Sequence, residues 1–313
     1  MELLQFEPLL AAVAIVKEAA RIIRRNGRFM IPVASFGILL YSILVLTNFL
    51  TLRHFLASMT KKLASFLVTS PMSPGYVNLL VGLQQDISFF IGVELIFALG
   101  YSVTSLLFST ATVYGTAISH LGKDSERVDI RDLAKLTAAS WKRPLVTSLY
   151  TSIFGIGYNF LEVAILLPLA LQRATFATTV LGLVAGLLYA YLSIIWTVGF
   201  VVSALEDRSG ITALGEAERL IKGMRIQGYA LSLFINVTLM LIIFLVWRLV
   251  SFKRPWYNEL IVYIVVNLTW LVRMFGVICY TIYYYDCKSS HGEEVADTEL
   301  MINRSEPVHY TPV

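Results

Sequence analysis

Six stretches of this chain are too long and too apolar to be anything but membrane helices. Residues 29–52, 87–118, 145–171, 174–205, 227–247 and 258–285 each reach the roughly 20 residues that a helix needs to cross a hydrocarbon core. With no water in the bilayer, spans of that length must close their backbone hydrogen bonds internally, and no series of alternating ten-residue segments offers a barrel instead. Composition agrees, since 57% of 313 residues are hydrophobic and 15% charged, against about a quarter charged in soluble domains. Mean hydropathy is +0.71. The predicted fold class is therefore an all-α integral membrane protein with six transmembrane helices: one helical membrane domain over 1–285 and a flexible tail over 286–313.

Basic residues orient the spans, because Lys and Arg are retained on the cytoplasmic side. Outside the spans, seventeen fall on the side of the N-terminus, 119–144, 206–226 and the tail, and seven on the other. Both termini are expected to be cytoplasmic, in the endomembrane system or plasma membrane. The first apolar run follows Arg24, Arg25 and Arg28 directly, so it reads as an uncleaved anchor. Two cysteines cannot build a disulfide framework. Cys287 stands beside Lys288 and a run of aromatics, a placement compatible with S-acylation. Tyr280 and Tyr283 to Tyr285 read as a headgroup belt, with Trp256 and Tyr257 as its counterpart at the opposite interface.

Between the spans a pattern repeats. Segments from Val13, Val128 and Gly210 each mix apolar and charged residues at helical spacing, end in basic residues, and meet a breaker before the next span. The breakers are Asn26-Gly27, Pro144 and Gly223. In the third, Ile211, Leu214, Ala217 and Ile221 form an apolar stripe, which leaves Glu216 and Arg219 toward the cytosol. Ser209 or Thr212 can cap this helix, Arg219 and Lys222 suit its carboxyl end, and Gly223 can stop it. The chain thus parses as three units, each an interfacial amphipathic helix followed by a transmembrane hairpin. In the loop 53–86, Leu52, Phe55, Leu56, Met59, Leu63, Phe66 and Leu67 are also helically spaced, so it is expected to lie along the outer surface.

The stretch VVSALEDRSGITALGEAERLIKG and the tail start YYYDCKSSH resemble plant polytopic membrane proteins of unassigned function, some labelled polyadenylate-binding-protein-binding. The first stretch is also remotely similar to the membrane domain of bacterial glycerophosphodiester phosphodiesterases. That resemblance implies a membrane domain without the catalytic partner, because no segment here is long and polar enough to supply one. Asp207 stands where a Pro is usual, and Ala217 and Glu218 where a Ser is frequent, so no role transfers to those positions.

Catalytic constellations are scarce. His54, His120, His291 and His309 are scattered over loops and tail without acids at metal-ligand spacing, and no phosphate loop or nucleophile elbow occurs. No enzyme activity, cofactor, metal or nucleic-acid partner is expected. Glu94, Glu162 and Arg273 lie within spans, where a charge costs about 2.5 to 3.5 kcal/mol on insertion scales and is retained for pairing or passage. Glu162 and Arg273 are placed to pair by their depth. The first reading is a membrane-organising or adaptor protein whose segment 206–226 and tail meet anionic lipids or a cytoplasmic protein; Lys222 and the stripe residues belong to that surface. A transporter or channel using the three intramembrane residues is the second reading, and a lipid-acting membrane enzyme the third.

Overall fold

The computed structural model describes residues 3–69, 73–120, 130–250 and 255–293, side chains at the edges of these ranges excepted. They form nine helices: α1 Leu3–Arg25, α2 Gly27–Val68, α3 Pro74–His120, α4 Ile130–Ser140, α5 Lys142–Leu171, α6 Thr175–Leu205, α7 Ile211–Ile221, α8 Arg225–Val250 and α9 Pro255–Ser290. Six of them are long and apolar enough to cross a membrane. The short helices α1, α4 and α7 precede the pairs α2/α3, α5/α6 and α8/α9. The three-unit layout is therefore the layout of the fold, with one shift: the second break falls at Trp141, and Pro144 lies in the first turn of α5. The belt residues Trp256 and Tyr257 and the tail beyond 293 fall outside the described side chains.

The helices divide into two compact units. The first takes Met1–Ala34, Leu106–Ile242 and Leu271–Val313; the second takes Ser35–Ser105 and Ile243–Trp270.

In the first unit all three short helices bury one face in a common core with the ends of the spans. α1 contributes Ile15, Ala19 and Ile22, α4 contributes Leu133, and α7 contributes Ala213, Leu214, Ala217, Leu220 and Ile221. They meet Val198, Val201 and Leu205 of α6 and Ile278, Tyr283 and Tyr284 of α9. Glycines set the closest approaches. A Cβ on Gly199 of α6 would stand 2.6 Å from Leu214 Cδ2, and one on Gly228 of α8 would stand 2.8 Å from the Tyr283 hydroxyl.

The second unit corrects the expected outer loop. α2 runs unbroken to Val68 and α3 starts at Pro74, so helices of 42 and 47 residues replace a surface-lying segment. At 1.5 Å per residue they are ~60 to 70 Å long, about twice the hydrocarbon thickness. Of the residues that looked interfacial, Phe55 stacks on Phe90 with ring centroids 4.0 Å apart and Phe66 stacks on Tyr76 at 4.6 Å, while Leu56, Leu63 and Leu67 stay exposed; between these contacts Lys62 pairs with Asp86 at 2.5 Å.

Candidate functional site

The turn between α6 and α7, with the end of α9, holds the densest polar arrangement in the described residues. Glu206 leaves the helix with extended backbone while its N–H still donates to Val202 O at 2.7 Å. The chain then turns at Gly210, where φ is +60° and the backbone N–H donates to Thr147 Oγ1 at 2.9 Å. A side chain is disfavoured there on two counts, since the backbone conformation belongs to glycine and a Cβ would lie 3.0 Å from the Tyr150 ring, which would have to give way. Gly210, and neither expected capper, precedes the helix; Thr212 turns its hydroxyl back to Ser209 O. At the other end Gly223 has φ +123°, the anticipated stop.

Six charges alternate along this turn. Lys288 of α9, only 3% exposed, donates to Glu206 Oε1 at 3.2 Å, and the Tyr284 hydroxyl donates to the same oxygen at 2.6 Å. Glu206 Oε2 lies 3.6 Å from Arg208 Nε. Arg208 pairs with Glu216, Glu216 with Arg219, and Arg219 Nη2 donates to Glu293 Oε1 at 2.5 Å. Three cations and three carboxylates give no net charge, and a separate pair between Arg143 and Asp207 fastens α5 to the turn. The hydrogen bond from Arg219 is the chief reason that the Glu216 carboxyl sits below its ordinary range, against the opposing effect of burial, with Arg208 adding to the shift. Arg219 is held protonated by Glu216 first and Glu293 second. Every member has an opposite charge beside it, so the arrangement is an electrostatic clasp and offers no free base or nucleophile.

The clasp revises several expectations. Glu216 is 7% exposed and belongs to the buried face of α7, not to the cytosol. Ile211, assigned to the apolar stripe, is 60% exposed, whereas Leu214, Ala217 and Ile221 are buried as expected. Lys222 is exposed. Tyr280 and Tyr283 to Tyr285 are core residues rather than a headgroup belt; Tyr283 donates to Met224 O at 2.9 Å. Cys287 has no exposed surface, so its thiol is out of reach of an acylating enzyme in this state. The tail does not begin at 286: α9 continues to Ser290, and Glu293 is held by Arg219. Nothing in the spacing of 206, 219, 288 and 293 along the sequence announces that they meet, although Lys288 and Glu206 each flank a long apolar run.

Glu162 and Arg273 do not meet. Glu162 is half-buried on α5 and Arg273 is exposed on α9; among the described residues no ion pair joins them, because Arg273 turns outward while Trp270 and Ile278 of the same helix turn in. Asn159 is satisfied within its own helix by Gly155 O. In the second unit Glu94 Oε2 accepts from Asn48 Nδ2 at 3.1 Å, while its Oε1 is buried without a partner. Ser42 donates to Asn267 Oδ1 at 2.8 Å. Among the described residues no group of three or more His, Cys, Asp or Glu could hold a metal ion.

Comparison with curated proteins and with solved structures finds no match. A family model does match, over residues 1–306, which takes in both units, the three short helices and the clasp. On that extent of agreement, the chain belongs to the family described as a domain of unknown function, DUF8558.

Proposed function

We propose that this protein organises its membrane without catalysing a reaction, by holding three short helices as a rigid platform at the cytoplasmic surface, with both termini on that side. The observation that carries this reading is the shared core of α1, α4 and α7. Each helix buries one face among the span ends, and each leaves basic and apolar residues outward: Arg24, Arg25 and Leu10 on α1, Arg131 and Lys135 on α4, with Lys222 and Ile226 after α7. Cations beside apolar side chains at a span entrance suit anionic headgroups, each worth about 1 kcal/mol near the surface. The clasp supports the same reading, because its charges are spent on each other and fasten α7 in place.

The test is thermal unfolding of the purified protein in neutral detergent, titrated with phosphatidylserine and separately with phosphatidylcholine. Preferential binding of the anionic lipid raises the midpoint by mass action, and phosphatidylcholine at equal concentration leaves it where it was. Equal shifts with both lipids refute an anionic-lipid platform and leave a protein partner as the occupant. One observation favours a second reading, a transporter: Glu94 keeps a desolvated, unpartnered oxygen inside a span. Ion flux from sealed proteoliposomes that disappears in Glu94→Gln would establish it over the first.

A further inference from the structure

The turn from α7 into α8 carries two cations that the clasp leaves out. Lys222 follows α7 with extended backbone, which takes it out of the i,i+4 register with Glu218, and Arg225 opens α8. Both are exposed, and among the described residues neither has an anionic partner, whereas Arg208, Arg219 and Lys288 of the clasp each have one. Arg225 is nevertheless held in place. Its guanidinium stands over the Tyr191 ring of α6, 5.5 Å from the centroid, and Tyr191 stacks in turn on Tyr229 of α8 with centroids 6.3 Å apart. A guanidinium laid on an aromatic face keeps its N–H edge for an oxyanion.

Beneath the two tyrosines both helices turn apolar side chains outward. Leu187 and Val184 stand four and seven residues before Tyr191, and Leu233 and Met240 four and eleven residues after Tyr229, which are the spacings of one helix face. All four are between 57% and 68% exposed. α6 ends and α8 begins at this surface, so both stripes lead away from the cations into the membrane. Tyr191 lies ~24 Å from the start of α6, one turn short of the level at which a ~30 Å hydrocarbon core is crossed. The rings and cations therefore stand at headgroup level and the stripes in hydrocarbon.

We infer that Lys222, Arg225, Tyr191 and Tyr229 form a binding site for a phospholipid whose headgroup is a phosphomonoester, phosphatidic acid being the simplest, with the phosphate between the two cations and the acyl chains along the stripes of α6 and α8. The site rests on the anionic-lipid reading of the platform and narrows it to one place and one headgroup chemistry. A headgroup with its own ammonium, as in phosphatidylserine, would set a third cation beside two that already lack a carboxylate. A phosphomonoester brings no cation and a charge approaching −2, and its oxygens suit the guanidinium edge. The stripes fix the rest of the ligand, because exposed apolar side chains within a span are covered by hydrocarbon, and tails joined to the phosphate cover them in the same binding event.

The test is lipid retention by the full-length protein in neutral detergent, read by native mass spectrometry, with phosphatidic acid, phosphatidylserine and phosphatidylcholine of one chain length at equal concentrations. Wild type is expected to keep one phosphatidic acid in preference to either other lipid. Arg225→Gln and Lys222→Gln should each weaken its retention by about fivefold at an unchanged lipid-free unfolding temperature, while Arg131→Gln, which removes an equal charge from exposed α4 surface, should not. Tyr191→Phe should bind as wild type, and Tyr191→Leu, without the ring that holds Arg225, more weakly. A phosphatidic acid preference that survives Arg225→Gln overturns the site and leaves the platform reading standing. Equal retention of phosphatidic acid and phosphatidylserine overturns the headgroup chemistry, and no preference over phosphatidylcholine removes the platform reading as well. Displacement of the bound lipid by an equal concentration of glycerol 3-phosphate would show that the phosphate binds without its tails and would overturn the role of the stripes.

Discussion

Replacing Lys288 with Met removes the one cation that is buried with Glu206. The Lys288 side chain is 4% exposed and Glu206 13%, their contact is 3.2 Å, and the carboxylate would keep the Tyr284 hydrogen bond. Breaking a buried pair by removing one partner costs about 3 to 5 kcal/mol. Arg208, 3.6 Å from the other carboxylate oxygen and half-exposed, offsets part of this, so the expected loss is about 3 kcal/mol, the low end of that range. Glu206→Gln leaves Lys288 buried without a countercharge, with the Gln amide oxygen and the Tyr284 hydroxyl, 3.4 Å away, as neutral neighbours, for an expected loss of about 2 kcal/mol. The double variant removes both charges while the Gln amide oxygen still accepts from Tyr284. It should lose about 2 to 3 kcal/mol, well short of the additive sum, giving an interaction energy of about 2 kcal/mol or more. Reversible unfolding in mixed micelles, followed by tryptophan fluorescence, measures all four proteins. A Lys288→Met protein within about 0.5 kcal/mol of wild type, or a double variant equal to the sum, would refute the clasp as a stabilising contact.

Three further outcomes follow from the same geometry. The Glu216 carboxyl is depressed in the folded state, so its contribution is present above the ordinary glutamate value, about 4.3, and is lost as pH falls through the lower folded value; Glu216→Gln should flatten the acid limb of stability against pH, and an unchanged limb would contradict the pairing. Gly210→Ala should cost about 1 to 3 kcal/mol from the backbone conformation alone, and Tyr150→Ala should relieve only the steric part; a Gly210→Ala protein as stable as wild type would show that the turn adapts. Cys287 should resist a membrane-permeant maleimide in the folded protein and react on unfolding, and prompt labelling of native protein would mean that the end of α9 opens.

The helix inventory was legible because each signal is local. Apolar length marks Thr175–Leu205 as a span, and Gly223 stops α7, with no knowledge of what either packs against. The seam of α2 and α3 was half legible. Phe55, Met59 and Phe66 show helical spacing, but a stripe of that kind serves a lipid surface and a partner helix equally well, and only the alternation of three and four continued from Tyr41 tells the two apart. Glu162 and Arg273 show the limit of depth as a guide, because matching depth says nothing of which way a residue turns about its helix axis.

The clasp was illegible for a related reason, and α7 shows it most clearly. At about 100° per residue the buried positions 213, 214, 217, 220 and 221 span an arc of roughly 120°, with Leu214 at one edge. Ile211 falls about 60° past Leu214 and is exposed, while Glu216 falls about 40° beyond Leu220 at the other edge and is buried. Hydropathy alone ranks these two the other way round, since it scores a glutamate as solvated wherever it stands. What reverses the order is a pair of guanidiniums: Arg219 comes from the next turn of the same helix, and Arg208 from the turn that Gly210 folds back over it. A carboxylate can be buried once its charge is met, and here the sequence distance to one partner is short enough for the helix to supply it and the other arrives only with the fold. Lys288 and Glu293 extend the same logic to α9. Their partners lie more than seventy residues away, so the burial of Lys288 becomes intelligible only when the last span has already been packed against α6 and α7.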